Sequence, residues 1–565
     1  MFTRKQLRGL GLLLTLVMML TLVIGATKAQ DKPKIIVSGR NMGSGDVATL
    51  DPAKATDSIS IQFIDEMFLG LTMVNQDKLD TVPGIAESWT LSDDKLTTTF
   101  KIKKDVPWVH FNKDSGKVEE VKDDKGNVRM VTANDFVYGI TRELSAENAG
   151  DYAFVLAPWV VNGVEFGQGK AKAEDLGIKA IDANTLEIKA PKYAAVSISI
   201  YGLWMSRATP QWAIDEAGDK WTEPENIATY GPFALKEWKH EQGLTLIKNP
   251  FWPGSEYHPQ SKIDEVVFKF LDGPEQLKEY EAGTMDLADP PPEQLDRIRA
   301  DATLKDQLYI GPRQCTYYVG IHVTDEAAPF NNAHIRRAFS YAIDRQAIID
   351  NILKAGQRPA GYFSYPELAA SPQQKDFPGT GIETDAAKAK SEFEAGLKEL
   401  GMTVDQLPPI TYLYNTSSAH KAIAEAMQQM WKKTLGVDVQ LTAQDFNVYL
   451  QTRKNANPQL YRAAWCSDYP DAHNFLNDVF HSGSGNNDTL WTSAEFDKLV
   501  EDGVAVSDPQ KRAEIYAKAE DILVNKDAVI APIYFYTTAQ MQKPYVTRKF
   551  SNIGTERYET WDINK

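Results

Sequence analysis

Residues Arg453 to Tyr469 read R-K-N-A-N-P-Q-L-Y-R-A-A-W-C-S-D-Y. The stretch holds one of only two cysteines in 565 residues, two arginines nine positions apart, a tryptophan and an aspartate. A carboxylate suits an ammonium and a guanidinium suits a carboxylate, so the segment carries the chemistry for holding both ends of a zwitterion such as a peptide. The other cysteine, Cys315, lies in R-Q-C-T-Y-Y. Each residue also has an ordinary structural reading. Asp468, ahead of Tyr469 and Pro470, suits a cap for a helix starting near Ala472. Arg453 suits a solvated helix face, His420 an exposed helix start, and Trp465 a core.

Outward from this stretch the chain alternates helical and strand periodicity with no repeat of 20 to 50 residues, which rules out solenoids and propellers as the first reading. The class is mixed α/β. Ile35 to Ser38 and Leu96 to Lys103 read as strands, and Ser60 to Leu71 carries a helical stripe of Ile61, Ile64, Phe68 and Leu71. His334 to Leu353 reads as one long amphipathic helix. So does Ala419 to Leu435, ending at Gly436 and followed by a strand from Val437 to Leu441. Lys113 to Arg129 reads as a polar hairpin or loop, and Tyr362 to Thr384 as a long connection before a helix from Asp385 to Leu400.

At the N-terminus, Arg4, Lys5 and Arg8 precede an apolar run from Leu10 to Ile24, with small residues at Thr27 and Ala29. This is the layout of a secretory signal over residues 1–29, and no cysteine near the cleavage region offers a lipid attachment point. An exported chain permits a disulfide, and two cysteines allow a single intramolecular pairing. The formal charge is −16, and the signal contributes Arg4, Lys5, Arg8 and Lys28 without acids, leaving the remainder near −20. That balance argues against a nucleic-acid partner.

Catalytic signatures fail. His240-Glu241 begins like a zinc-protease helix, but Leu244 stands where the second ligand belongs. Gly43 to Ala48 loosely matches a dinucleotide fingerprint, yet Leu50-Asp51-Pro52 follows where its helix needs to continue. No G-x-S-x-G elbow or phosphate-cradling Gly-Lys loop occurs, so a secreted hydrolase lacks a nucleophile.

The chain resembles the periplasmic oligopeptide-binding proteins of ABC importers, within extracellular solute-binding protein family 5. The likeness rests on L-D-P-A at Leu50 to Ala53, G-I-A-E-S-W-T-L-S-D-D-K-L-T-T-T-F-K-I at Gly84 to Ile102, and T-A-N-D-F-V-Y at Thr132 to Tyr138. It continues in Y-G-P-F-A-L-K-E-W at Tyr230 to Trp238, R-R-A-F-S-Y-A-I-D-R at Arg336 to Arg345, and Y-N-T-S-S-A-H-K at Tyr414 to Lys421. C-T-Y-Y together with W-C-S-D-Y is similar to the oligopeptide branch in particular.

The resemblance implies a two-lobed periplasmic binding protein type II-like fold with an inserted third subdomain. Lobe one is expected at about 30–68, 206–314 and 537–565, the insert at 69–205, and lobe two at 315–536. It implies that Asp468 meets a peptide amino terminus, that Arg453, Arg462 and His420 answer the carboxyl terminus of peptides of different length, and that Tyr138, Tyr318, Phe446, Trp465 and Tyr536 line the cleft. It further implies a Cys315–Cys466 bridge, a monomer, membrane permease partners, a periplasmic location, and no cofactor, metal or enzymatic role. The same fold also serves nickel and oligosaccharide binders. Two departures bear on side-chain preference: Phe446 stands where a tryptophan is expected, and Thr56 where an acid is expected.

Overall fold

The structure is a computed structural model and describes residues 32–565 apart from 43, 44, 149 and 552. The expected secretion signal, like Gly43 and Ser44 of the loose fingerprint, lies outside the described residues. Strand β1 (Ile35–Arg40) and helix α1 (Ser58–Met67) begin the first core. Helix α1 starts where Asp57 accepts from the Ile59 and Ser60 N–H groups, donors that the first turn leaves unmatched, and it buries Phe63, Ile64 and Met67.

An antiparallel sheet follows, built from β2 (Ala86–Leu91), β3 (Thr97–Ile102), β4 (Ile178–Asp182) and β5 (Thr185–Lys189) in the spatial order β2-β3-β5-β4. Helix α2 (Ala133–Leu144) packs on it through a face that buries Phe136, Ile140 and Leu144. The chain then returns with β6 (Phe233–Lys239), β7 (Gly243–Lys248) and β8 (Glu265–Phe270), an antiparallel meander whose last strand runs parallel to β1. His240-Glu241 is the turn between β6 and β7, with Glu241 at φ 64°, and forms no helix. The short β9 (Leu287–Ala288) closes this part.

Strand β10 (Leu308–Ile321) leads into the second lobe. There follow α3 (Ala333–Tyr341), α4 (Ala386–Leu400), β11 (Ile410–Asn415), α5 (Ser418–Leu435), β12 (Val439–Gln444), α6 (Phe446–Asn455), β13 (Leu460–Cys466) and α7 (Ala472–Phe480). Strand β14 (Ile530–Gln542) leads back. The strands run β6-β7-β8-β1-β9-β14-β10-β13-β11-β12, so β10 and β14 form the seam between two hydrophobic cores. Leu308 and Met541 pack with Leu277, Tyr280 and Met285 on one side of the seam. Tyr317, Val319 and Ile321 pack with Ile530, Ile533 and Phe535 on the other. Between the pairs Pro312–Thr537 and Thr316–Phe535 the ladder lapses. Pro312 has no N–H to donate there, and Arg313 and Tyr536 are left facing the space between the lobes.

Caps and glycines place several ends where the sequence indicates. Asp385 accepts from the Ala387 and Lys388 N–H groups to open α4, and Gly436, at φ 74°, closes α5. Residues 334–353 differ from the single helix expected. Helix α3 stops at Tyr341, and Asp344 caps a fresh start at Arg345 by accepting from the Ala347 N–H. The cause is Arg345, which is buried and donates to the carbonyls of Ser340, Ile343 and Pro532. Burying a guanidinium demands such acceptors, and the backbone turns to supply them.

Candidate functional site

A cleft of about 860 Å³ lies between the lobes at the seam. Arg40, Asp57 and Asp289 line it from one side, Arg313 and Tyr536 from the seam, and His420, Phe446, Arg453, Arg462, Trp465 and Asp468 from the other. Tyr152, between α2 and β4, closes one flank. The lobes are drawn together over this space: Trp465 packs against both cores, and Tyr469 is buried in the first.

The acidic end is assembled by α7. Its N-cap is Asp471, which accepts from the His473 N–H. Asp468 is therefore not the cap that local reasoning allows. Instead Asp468 Oδ2 accepts from Asn474 Nδ2 at 3.0 Å, and its own N–H donates to Asn474 Oδ1 at 3.0 Å. Its other oxygen makes no hydrogen bond among the described residues. Asn474 also donates to Asp478, which accepts from the Tyr469 hydroxyl at 2.7 Å. Burial pushes Asp468 up to about 8; the Asn474 amide pulls it down by less, and the Asp478 and Asp65 carboxylates act with burial. Burial likewise takes Asp478 to about 6. A positive charge is what this end lacks.

The basic end draws on distant segments. Arg462 on β13 donates to the Tyr536 hydroxyl at 2.9 Å and to Asn415 Oδ1 at 3.3 Å, with its guanidinium 5.2 Å from the centre of the Tyr317 ring. It has no carboxylate partner among the described residues. Arg453 on α6 does: its Nε lies 2.6 Å from Asp488. His420, near the start of α5, packs on the Tyr317 ring at 5.7 Å. Burial, joined by the Arg462 charge, drives His420 well below its ordinary value. The neutral imidazole is therefore the favoured form beside the two arginines.

Between the ends runs an exposed strand edge. Strand β13 pairs along its length with β10, but with β11 only through Leu460 and Tyr461. Beyond Tyr461 its other edge has no strand partner among the described residues, and Ala464, Trp465 and Cys466 line the cleft. The Cys315–Cys466 disulfide joins directly opposed residues of β10 and β13, 4.0 Å apart at Cα, and anchors this edge to the seam.

Of the expected lining residues, Tyr318, Phe446, Trp465 and Tyr536 reach the cleft. Tyr138 does not: it is half-buried on α2 near Arg142, Asp215 and Asp51. Sequence reasoning passed over Arg40, Arg313, Tyr152 and Asp57. Arg313 stood two positions before Cys315 and Asp57 one after Thr56, both beside residues already singled out; Arg40 and Tyr152 carried no comparable signal. Asp57 lines the cleft one position after Thr56 and leaves Oδ2 buried without a hydrogen bond.

A two-lobed α/β protein with an open strand edge between an acidic and a basic cleft end is a solute-binding protein in construction. Residues 80–487 match bacterial extracellular solute-binding proteins, family 5 (middle), and the chain belongs to this family. It is 31% identical over 557 residues to the periplasmic oligopeptide-binding protein OppA of Salmonella typhimurium, covering 96% of this chain and 95% of that one. The fold superposes on the Escherichia coli murein tripeptide-binding protein MppA with a TM-score of 0.82 at 28% identity, covering 94% and 99% of the two chains. It superposes on Haemophilus influenzae OppA in complex with RPPGFSPFR with a TM-score of 0.81 at 26% identity, covering 95% and 100%. Against an unliganded open form of MppA, 27% identical and covering 94% and 98%, the score is 0.63. The lower score against the open form agrees with the contacts that draw the lobes together.

Proposed function

We propose that this chain is an exported, monomeric and non-enzymatic receptor for short oligopeptides, which it passes to the permease of an ABC importer. The observation that carries the reading is the pairing of a desolvated Asp468 with a carboxylate-free Arg462 at opposite ends of one unpaired strand edge. A peptide laid along β13 offers its main-chain groups to that edge, its ammonium to Asp468 and its carboxylate to Arg462. Recognition through the backbone is indifferent to side chains. Arg453, already balanced by Asp488, and the neutral His420 then serve as secondary hydrogen-bond donors for carboxylates of other reach. Lobe one comprises about 30–68, 206–314 and 537–565, the insert 69–205 and lobe two 315–536, a division supported by the lapse in the β10–β14 ladder around 312–316 and 535–537. Ligand touching both lobes favours closure, which the transporter reads.

Isothermal titration with peptides of two to five residues tests this. Peptides with free ends bind, N-acetylation and C-amidation each weaken binding, and a parallel panel of sugars and divalent metals gives no heat. Equal affinity for free and doubly blocked peptides refutes the assignment of the ends.

A further inference from the structure

Arg313 plays no part in the pairing above. It lines the cleft where β10 and β14 part, and among the described residues it makes no hydrogen bond and no ion pair. Its guanidinium stands 5.9 Å from the centre of the Tyr536 ring, whose hydroxyl is already taken by Arg462 at 2.9 Å. One tyrosine thus separates two cations, Arg313 toward the ring and Arg462 at the hydroxyl. Arg40 is a third, donating to the Tyr558 hydroxyl at 2.7 Å.

The acids nearby do not match them. Glu556 is 3.2 Å from Arg548, and the charges of Arg40 and Arg313 act on it as well. Asp289 accepts from the Gln540 amide at 2.8 Å and, among the described residues, lies within 4 Å of no cationic side chain. Burial pulls Arg313 below its ordinary range, Arg40 and Arg462 add to that, and Tyr536 and Asp289 oppose it. Arg40, Arg313, Arg462 and Arg548 therefore share two carboxylates, Asp289 and Glu556, and the single α-carboxylate of a neutral peptide leaves a buried positive charge unmatched. Such a charge is costly until an anion arrives.

We propose that Arg313 is a specificity-determining residue that receives an acidic side chain, an aspartate or glutamate at or next to the carboxyl terminus of the bound peptide, while Arg462 takes the terminal carboxylate. The inference rests on the peptide reading and names a preferred class within it. A guanidinium meets a carboxylate in two parallel hydrogen bonds and meets a neutral amide far less well, so the preference is for Glu over Gln at equal size.

The test is titration calorimetry with two matched pairs, Ala-Ala-Glu against Ala-Ala-Gln and Ala-Glu-Ala against Ala-Gln-Ala. In the parent protein at least one glutamate peptide binds about tenfold tighter than its partner. Arg313→Gln abolishes that preference and leaves the glutamine peptides within about threefold of the parent. Arg313→Lys retains part of it. Equal affinities within both parent pairs overturn the proposal, and so does a preference that survives Arg313→Gln. The parent comparison stands even if that variant fails to fold. If no peptide binds, this inference and the peptide reading fall together; if the glutamine peptides bind as well as the glutamate ones, only this inference falls.

Discussion

The acidic end of the cleft is drawn from one segment: Asp468, Tyr469, Asn474 and Asp478 lie within residues 468–478 and are linked by their own hydrogen bonds. The basic end takes Arg40 from β1, Arg313 from β10, His420 from α5 and Arg462 from β13. A local network can be set by one helix and its cap, and it holds the Asp468 carboxyl in one position. A cluster gathered from four elements instead exists only while the lobes are folded around the seam. The first arrangement suits a ligand end of fixed position, the ammonium. The second suits an end whose position varies with peptide length.

The largest effect expected is at the acidic end. Removing one partner of a desolvated charge pair costs about 2 to 5 kcal/mol. Asp468→Ala therefore weakens free-amine peptides by orders of magnitude while leaving N-acetylated peptides nearly unchanged, as titration calorimetry will read. Equal losses for both would break the contrast between the ends. Next comes the disulfide, which closes a loop of 151 residues and lies two positions from Arg313 on one strand and two from Asp468 on the other. Bridges of this kind stabilise by about 2 to 4 kcal/mol. Reduction lowers the melting temperature and weakens binding at both ends; two free thiols in the unfolded, unreduced protein would show the bridge to be missing. Arg462→Gln follows, at about 1.5 to 3 kcal/mol for hydrogen bonds to a charged group. Its loss falls on free-acid peptides and spares amidated ones.

Proton uptake sharpens the comparison further. Asp468 rises from its ordinary 3.8 to about 8 in the closed cleft. A raised carboxyl pKa means that the closed, ligand-free form keeps a proton that the open form releases above about pH 4. Closure without ligand is thus favoured at low pH and loses that support as pH climbs toward 8. A peptide ammonium requires the carboxylate, so binding near neutrality releases a proton. Calorimetry in buffers of different ionisation heat detects that release for free-amine peptides and none for N-acetylated ones. His420 has the opposite sign. With its pKa depressed, its contribution to the closed form is complete above its ordinary 6.5 and is lost as pH falls below that value. Free-acid peptides therefore do not weaken through His420 as pH rises from neutrality.

The smallest effect belongs to the surface contact between Lys454 on α6 and Asp151, both side chains 46% exposed. Exposed pairs contribute about 1 kcal/mol or less. Lys454→Ala changes peptide affinity by no more than a few fold in low salt and not at all in high salt. A larger loss would mean that closure depends on this contact as well as on the ligand at the cleft ends.

Several elements were legible because their causes are short-range. Asp385 and Gly436 mark the ends of α4 and α5, and the W-C-S-D-Y segment places Asp468, Trp465 and Cys466 on one strand and the turn after it. Other features were not. The break after Tyr341 comes from carbonyls gathered around a buried Arg345, one of them from Pro532 on β14. Arg453 is balanced by Asp488, which lies in another part of the second lobe, and Tyr138 turns toward Arg142 and away from the cleft.

The sequence by itself determined the mixed α/β class, the family likeness, the pair of cysteines able to bridge, and the residue types from which an acidic and a basic cleft end are made. Tertiary structure alone decided which of those residues are charged, which are already paired, and that Arg40 and Arg313 stand with Arg462. The physical reason is range. Caps and periodicity act over a few residues of chain, whereas desolvation and Coulomb interaction depend on whatever the fold brings within several ångströms, however far apart along the sequence.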